Sequence, residues 1–207
     1  MVERQLTGYF RYSGSIISSK PILICNSRAL EENRVSSEGR IIINTGDGKG
    51  KTTAALGLAF RALGHGHRVC VIQFLKGKGD YGERLFGNTL ENLEWHICGK
   101  GFVFKKQDIT ADREIAGQGF QLAKEKIESN HFDLVILDEI TYLTLYQFLE
   151  VEAIVEVLKK KPERLSVVLT GRSADEALIE IADTVTSMDV VKHAFTQGIK
   201  AQKGIEY

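Results

Sequence analysis

From about residue 40 onward this 207-residue chain alternates short apolar runs with longer amphipathic stretches. The runs fall at 41–44, 68–75, 94–97, 133–138, 166–170 and 184–188. Most are β-rich without clean alternation, the pattern of strands buried on both faces. Helical periodicity fills the gaps. Residues 51–63 place Ala55, Leu58, Ala59 and Ala62 on one face and stop at Gly64, while 151–160 stop before Pro162. Residues 112–129 open with Asp112 and Glu114 at the positive end of the helix dipole. Ser173 and Glu176 have the spacing of a capping box that starts a fourth helix. The alternation predicts an α/β fold of three layers, a mostly parallel central sheet flanked by helices. Residues 1–39 break the pattern: Ser, Arg and Asn dominate, with one apolar patch at 22–25 after Pro21. They predict an N-terminal extension, mobile or partner-dependent, ahead of a domain at 40–207.

The first strand carries the strongest chemical signal. Ile41, Ile42 and Ile43 run into Asn44-Thr45-Gly46-Asp47-Gly48-Lys49-Gly50-Lys51-Thr52-Thr53. Closely spaced glycines let successive backbone N–H groups turn around an anion, Lys51 adds a point charge, and Thr52 offers a hydroxyl to Mg²⁺ where a helix begins. The expected ligand is a polyphosphate nucleotide held by Gly46 through Thr53. The usual phosphate-loop pattern G-x-x-x-x-G-K-[ST] would place glycine at position 45; Thr45 stands there and Gly46 comes one residue late.

A second apolar strand ends in Asp138 and Glu139. In a sheet whose first strand feeds a phosphate loop, acids at another strand's carboxyl end lie where the nucleotide's Mg²⁺ would be, which makes both candidates for a metal ligand or base. Helix capping is the plainer alternative. Thr170-Gly171-Arg172 repeats the arrangement, with Arg172 either a phosphate contact or a solvated turn residue. Arg61, late on the first helix, reads from its position alone as a surface residue. Phe102 and Phe104, set among glycines and lysines, suit either an apolar wall over a ligand or a buried hairpin edge. His65 with His67 and His96 with Cys98 supply two ligands each at most, too few for zinc or iron.

Composition narrows the partners. The 27 basic and 27 acidic side chains cancel, so no overall charge points to nucleic acid or to a membrane surface. Nothing approaches the ~18 apolar residues of a membrane span. Cys25, Cys70 and Cys98 are odd in number and widely spaced, which fits a reducing compartment and predicts a soluble, cytoplasmic protein.

Taken together, several segments resemble the ATP:corrinoid adenosyltransferases of bacterial cobalamin synthesis and salvage, from about Arg40 to Tyr207. They are the loop from Thr45 to Ala55, Val71 to Gly77, Gly82-Glu83, Gly101-Phe102, Leu137 to Tyr142, Thr170 to Arg172, and Val191 to Phe195 with Gly198 to Gln202 and Gly204 to Tyr207. The resemblance implies transfer of the 5′-deoxyadenosyl group of ATP to a Co(I) corrinoid with release of whole triphosphate. It implies ATP bound in the opposite sense along the loop to that of a kinase, which suits a variant loop. By position it assigns Gly46, Asp47, Gly48, Lys49, Gly50, Lys51, Thr52 and Thr53 to the triphosphate, Lys51 to leaving-group charge, Thr52 and Glu139 to Mg²⁺, and Arg61 and Arg172 to the nucleotide. Phe102 and Phe104 are implied to crowd the lower axial face of the corrinoid, with Phe104 standing where relatives carry tryptophan. Asp47 replaces a usual asparagine and adds a carboxylate beside the phosphates, to be offset by Lys49 or Mg²⁺. An electron-donating flavoprotein or reductase, a homodimer, and a lid formed by residues 1–39 are further implications. Two other readings stay open at this level: a phosphate-loop ATPase or kinase using Glu139 as base, and a nucleotide sensor or corrinoid carrier without turnover.

Overall fold

The computed structural model describes residues 38–206 except 78, 80, 100 and 102–108. Six strands, β1 (Ile41–Thr45), β2 (Val69–Gln73), β3 (Leu93–Ile97), β4 (Leu134–Asp138), β5 (Ser166–Thr170) and β6 (Thr184–Ser187), form one sheet in the order β3-β2-β4-β5-β1-β6. Every pairing is parallel. Helices α1 (Lys51–Gly64), α2 (Gly82–Gly87), α3 (Ile109–Glu128), α4 (Thr141–Leu145), α5 (Val151–Lys159) and α6 (Glu176–Glu180) connect them.

The absence of alternation in the sequence follows from burial on both faces. Ile43, Cys70, Ile72, Val135, Leu137, Val167 and Leu169 point to one core, shared with Ala123 and Ile127 of α3, Ile154 and Leu158 of α5 and Leu178 of α6. Val69, Val71, Leu134, Ile136 and Val168 point to the other, against Ala55 and Ala59 of α1. Each fully buried Val, Ile or Leu contributes about 1.5–3 kcal/mol relative to exposure, so the four inner strands are the anchor of the fold. Edge strand β6 is exposed along its whole length. None of the described helices is long and apolar enough to cross a membrane.

All six sequence-derived strands form, and the sheet is wholly rather than mostly parallel. Three local expectations are corrected. The capping box at Ser173 does not form: Asp175 is the N-cap of α6, its carboxylate accepting the Ala177 N–H at 2.9 Å, and Ser173 sits in the left-handed region at φ 48°. Helix α3 begins at Ile109 rather than Asp112, and β2 stops at Gln73, where the chain turns toward the site. The short α2 and α4, of 6 and 5 residues, hold too few turns to show a period in sequence.

Candidate active site

In a parallel sheet, ligands gather at the carboxyl ends of the strands, and the order β2-β4-β5-β1 lines up four such ends in a row. Above them opens a cavity of about 600 Å³ lined by residues 47–53, by Lys76 and Glu83, by Glu139 and Tyr142, by Arg172, and by the chain's last described segment.

The loop after β1 turns at Gly46 (φ 92°) and Gly50 (φ 119°), conformations that L side chains rarely adopt. The glycines have a second purpose. A Cβ on Gly46 or Gly48 would lie 2.5 or 2.6 Å from the Met188 carbonyl oxygen, and Gly48 N–H donates to that oxygen at 2.6 Å. The segment beyond β6 is therefore clamped against the loop. Thr45 Oγ1 accepts the Ala174 N–H at 3.2 Å, so the side chain that departs from the usual glycine pattern ties the loop to the turn after β5. Lys51 Nζ donates to the Gly46 and Gly48 carbonyls, both at 2.7 Å, folding the ammonium into the loop it serves. Burial, then the nearby Arg172, hold its pKa below the ordinary lysine value.

The two carboxylates differ. Asp138 is buried and accepts three hydrogen bonds: Oδ1 from Thr52 Oγ1 at 2.8 Å and from Thr170 Oγ1 at 2.7 Å, and Oδ2 from Gln73 Nε2 at 2.8 Å. Its oxygens are committed to holding the Thr52 hydroxyl and the adjoining strands together. Glu139 sits in the left-handed region at φ 65°, uncommon for a non-glycine residue, and its N–H donates to Thr170 Oγ1 at 2.9 Å. Its Oε2 is buried without a hydrogen-bond partner among the described residues. Burial, reinforced by Asp138, pushes its pKa up to about 7. An orphaned carboxylate oxygen in a cavity that Thr52 also lines fits a hard divalent cation, which takes oxygen ligands.

Arg172 and Asp47 face each other at 3.5 Å on the exposed rim, and Lys49 Nζ meets Glu206 Oε1 at 2.7 Å. The charge at Asp47 is thus opposed by Arg172, with Lys49 engaged elsewhere. Thr53 lines the cavity. Arg61 does not: it is exposed in the last turn of α1, ten residues beyond Lys51 and about 15 Å along the helix. Phe102 and Phe104 lie outside the described residues, as do residues 1–37.

Gly171, at φ 141°, shapes the neighbouring turn. A Cβ there would lie 2.0 Å from Thr141 Oγ1, on a fully buried side chain whose hydroxyl donates to the Arg172 carbonyl at 2.7 Å. Gly171→Ala is expected to cost about 2–3 kcal/mol through backbone strain and a displaced Thr141, read as a lower urea midpoint. An unchanged midpoint would show that the turn relaxes freely.

Sequence reasoning did not assign roles to Lys76, Glu83, Tyr142, Thr170 or Glu206. All five fall inside segments that carried the resemblance, which was the available signal; the fold is what brings them together. Away from the cavity, Cys70, Glu94 and His96 place one donor atom each within 4.8 Å of the others. Lys126 Nζ already occupies this cluster, 2.6 Å from Glu94 Oε2, and burial pushes the Cys70 thiol up to about 12, so its charge is balanced without a metal.

Residues 37–207 match the model of a family described as ATP:corrinoid adenosyltransferase BtuR/CobO/CobP. A corrinoid adenosyltransferase of Escherichia coli (strain K12) is 43% identical over 171 residues, covering 82% of this chain and 86% of its own length. One from Salmonella typhimurium is 42% identical over 171 residues (82% and 86%), and one from Pseudomonas aeruginosa 40% over 170 residues (82% and 84%). Among solved structures, the KaiC-like protein PH0186 of Pyrococcus horikoshii superimposes with a TM-score of 0.50 at 17% identity, covering 73% of this chain and 72% of its own. That likeness concerns the fold, a phosphate-loop NTPase-like one. With its whole described domain inside the family match and three bacterial members at least 40% identical over 82% of the chain, this chain belongs to the ATP:corrinoid adenosyltransferase family.

Proposed function

We propose that the cavity binds ATP with Mg²⁺, receives a reduced corrinoid, and transfers the 5′-deoxyadenosyl group to Co(I) with release of triphosphate. Family membership supports the reaction; the observation that carries the site is the unpartnered Glu139 oxygen in a cavity that Lys49 and Lys51 line from the loop and Arg172 lines from the turn after β5. Thr52 and Glu139 are the residues to hold Mg²⁺, with Asp138 behind Thr52 fixing its hydroxyl. Bound there, the ion would supply positive charge to the triphosphate.

The chain need not provide a nucleophile, because Co(I) is one. Its electron pair forms the Co–C5′ bond while the C5′–O bond breaks and its pair leaves on the triphosphate. What remains for the protein is orientation, exclusion of water and stabilisation of the departing charge. Lys51 exchanges its two loop carbonyls for phosphate oxygens, and the glycine-turned N–H groups orient the chain of phosphates, which lie in the opposite sense to a kinase's. Arg172 reaches the outer end once Asp47 yields it. Arg61 is assigned to the nucleotide by the resemblance alone. Phe102 and Phe104 are assigned to the lower axial face of the corrinoid, helping expel its ligand so that cobalt can be reduced. The setting is a cytoplasmic homodimer supplied with electrons by a flavoprotein or other reductase, with residues 1–39 as a lid.

A Glu139 carboxylate with one buried oxygen lacking a hydrogen-bond partner among the described residues also suits a base that activates water, so product analysis decides. Incubated anaerobically with ATP, Mg²⁺ and chemically reduced cob(I)alamin, the protein is expected to yield a light-sensitive adenosylcorrinoid and tripolyphosphate. ADP with phosphate would establish hydrolysis instead, and an unchanged corrinoid spectrum would establish a carrier.

A further inference from the structure

One cation in the cavity has no role in the scheme above. Lys76 lies three residues beyond the end of β2, and its side chain is 19% exposed. Its Nζ lies 3.2 Å from Glu83 Oε1, 3.8 Å from Asp138 Oδ2 and 5.2 Å above the Tyr81 ring. The strand order gives it a distinctive place. Lys51 approaches the Asp138–Glu139 corner from β1, two strands away on one side; Lys76 approaches it from β2, the adjoining strand on the other. The two ammonium groups therefore flank the carboxylates across the cavity.

A counter-ion for Asp138 is the plainer explanation, and the hydrogen bonds weigh against it. Asp138 already accepts three bonds at 2.7–2.8 Å, while Lys76 stays at 3.8 Å. Among the described residues Glu83 is the one hydrogen-bond acceptor for Lys76, so an ammonium with three donors spends one. A half-buried cation with donors to spare, on the wall of a cavity whose opposite wall is a phosphate loop, is placed for an anion. Glu83 on α2 and the Tyr81 ring hold it there. The other cations of the site are engaged differently: Lys51 by two loop carbonyls, Lys49 by Glu206, Arg172 by Asp47.

We propose that Lys76 is a second leaving-group cation: its ammonium, positioned by Glu83, contacts the triphosphate from the wall opposite Lys51. The inference rests on the adenosyl-transfer reading for its catalytic consequence. There the C5′–O electron pair ends on the triphosphate, which gains one negative charge with no proton transferred, and a cation on the far wall stabilises that charge as it forms.

The test uses the full chain and two readouts. Tripolyphosphate with Mg²⁺ is titrated calorimetrically into wild type, Lys76→Met, Lys76→Arg and Glu83→Gln, without corrinoid. Single-turnover transfer from ATP to ready-made cob(I)alamin is measured on the same proteins, with melting temperatures alongside. Lys76→Met is expected to bind tripolyphosphate about 10- to 100-fold more weakly and to slow transfer by a similar factor, the effect of losing one charge-assisted bond. Lys76→Arg should recover most of both, and Glu83→Gln should lower the transfer rate more than tripolyphosphate affinity. Wild-type tripolyphosphate affinity in Lys76→Met, or loss in the Met and Arg variants alike, would overturn the contact. Failure of the underlying reading looks different: wild type would bind tripolyphosphate, Lys76→Met would bind it weakly, and no adenosylcorrinoid would form from either, which overturns the leaving-group role while keeping the anion contact.

Discussion

Lys51→Ala is expected to lose roughly 2–4 kcal/mol of transition-state stabilisation in adenosyl transfer, a factor of about 30 to 1,000 in kcat/KM, by analogy with removal of one preorganised electrostatic donor. The structure shows why the fold should survive. Lys51 contributes no apolar burial to either core; its ammonium bonds two loop carbonyls that have access to the cavity, so water can replace it. The stability loss should stay at about 1–2 kcal/mol, since two hydrogen bonds are lost and water takes over the two carbonyls. Circular dichroism melting separates the two effects from one preparation. Turnover near wild type at saturating ATP would remove the loop from the reaction; collapse of the melting temperature would make Lys51 a structural clamp. Burial and Arg172 already press on this ammonium, lowering its pKa, so an anion between the two cations relieves a repulsion built into the free protein.

The chain was legible where physics is local and opaque where it is not. The four inner strands announced themselves because β1, β2, β4 and β5 are buried on both faces and leave no room for polar alternation. The loop from Gly46 to Thr53 was legible because its glycine spacing serves one geometry. The meaning of Thr45 was not, since its partner Ala174 is 129 residues away and reaches it only through the β1–β5 pairing. The same holds for Lys49 and Glu206, 157 residues apart, and for Thr170, which bridges Asp138 and Glu139 from the next strand. From the residues alone Asp138 and Glu139 were two acids ending a strand, and the resemblance singled out Glu139. The three-dimensional donor set shows the physical difference, Asp138 accepting three hydrogen bonds while Glu139 Oε2 has no partner among the described residues. Arg61 shows the converse: a position taken from resemblance that the helix carries to an exposed surface, away from the cavity wall.

Glu139→Gln is expected to move activity and stability in opposite directions. Burial, reinforced by the neighbouring Asp138, pushes the Glu139 pKa up to about 7 in the folded chain against an ordinary value of 4.5. The folded state therefore holds this proton more tightly than the unfolded state does. The sign follows: the protonated group costs the fold nothing below about pH 4.5, and the penalty of ionising it grows as pH rises to about 7, then stays constant. At about 1.4 kcal/mol per pH unit, the full penalty is on the order of 3 kcal/mol above pH 7. Glutamine keeps the shape and the φ of 65° without the charge, so backbone strain cancels between the two proteins. The variant should be more stable than wild type at pH 8 by up to that amount, with the gap closing toward pH 4.5 in urea titrations. Activity should fall by about 100-fold or more, because the variant no longer brings a carboxylate to the cation of the triphosphate. Mg²⁺ provides the internal control: it should raise the wild-type melting temperature at pH 8 by neutralising the buried charge and leave Glu139→Gln unmoved. A variant no more stable than wild type at pH 8, active, and equally responsive to Mg²⁺ would mean that Glu139 is a solvated strand-end acid and that the cation is held elsewhere.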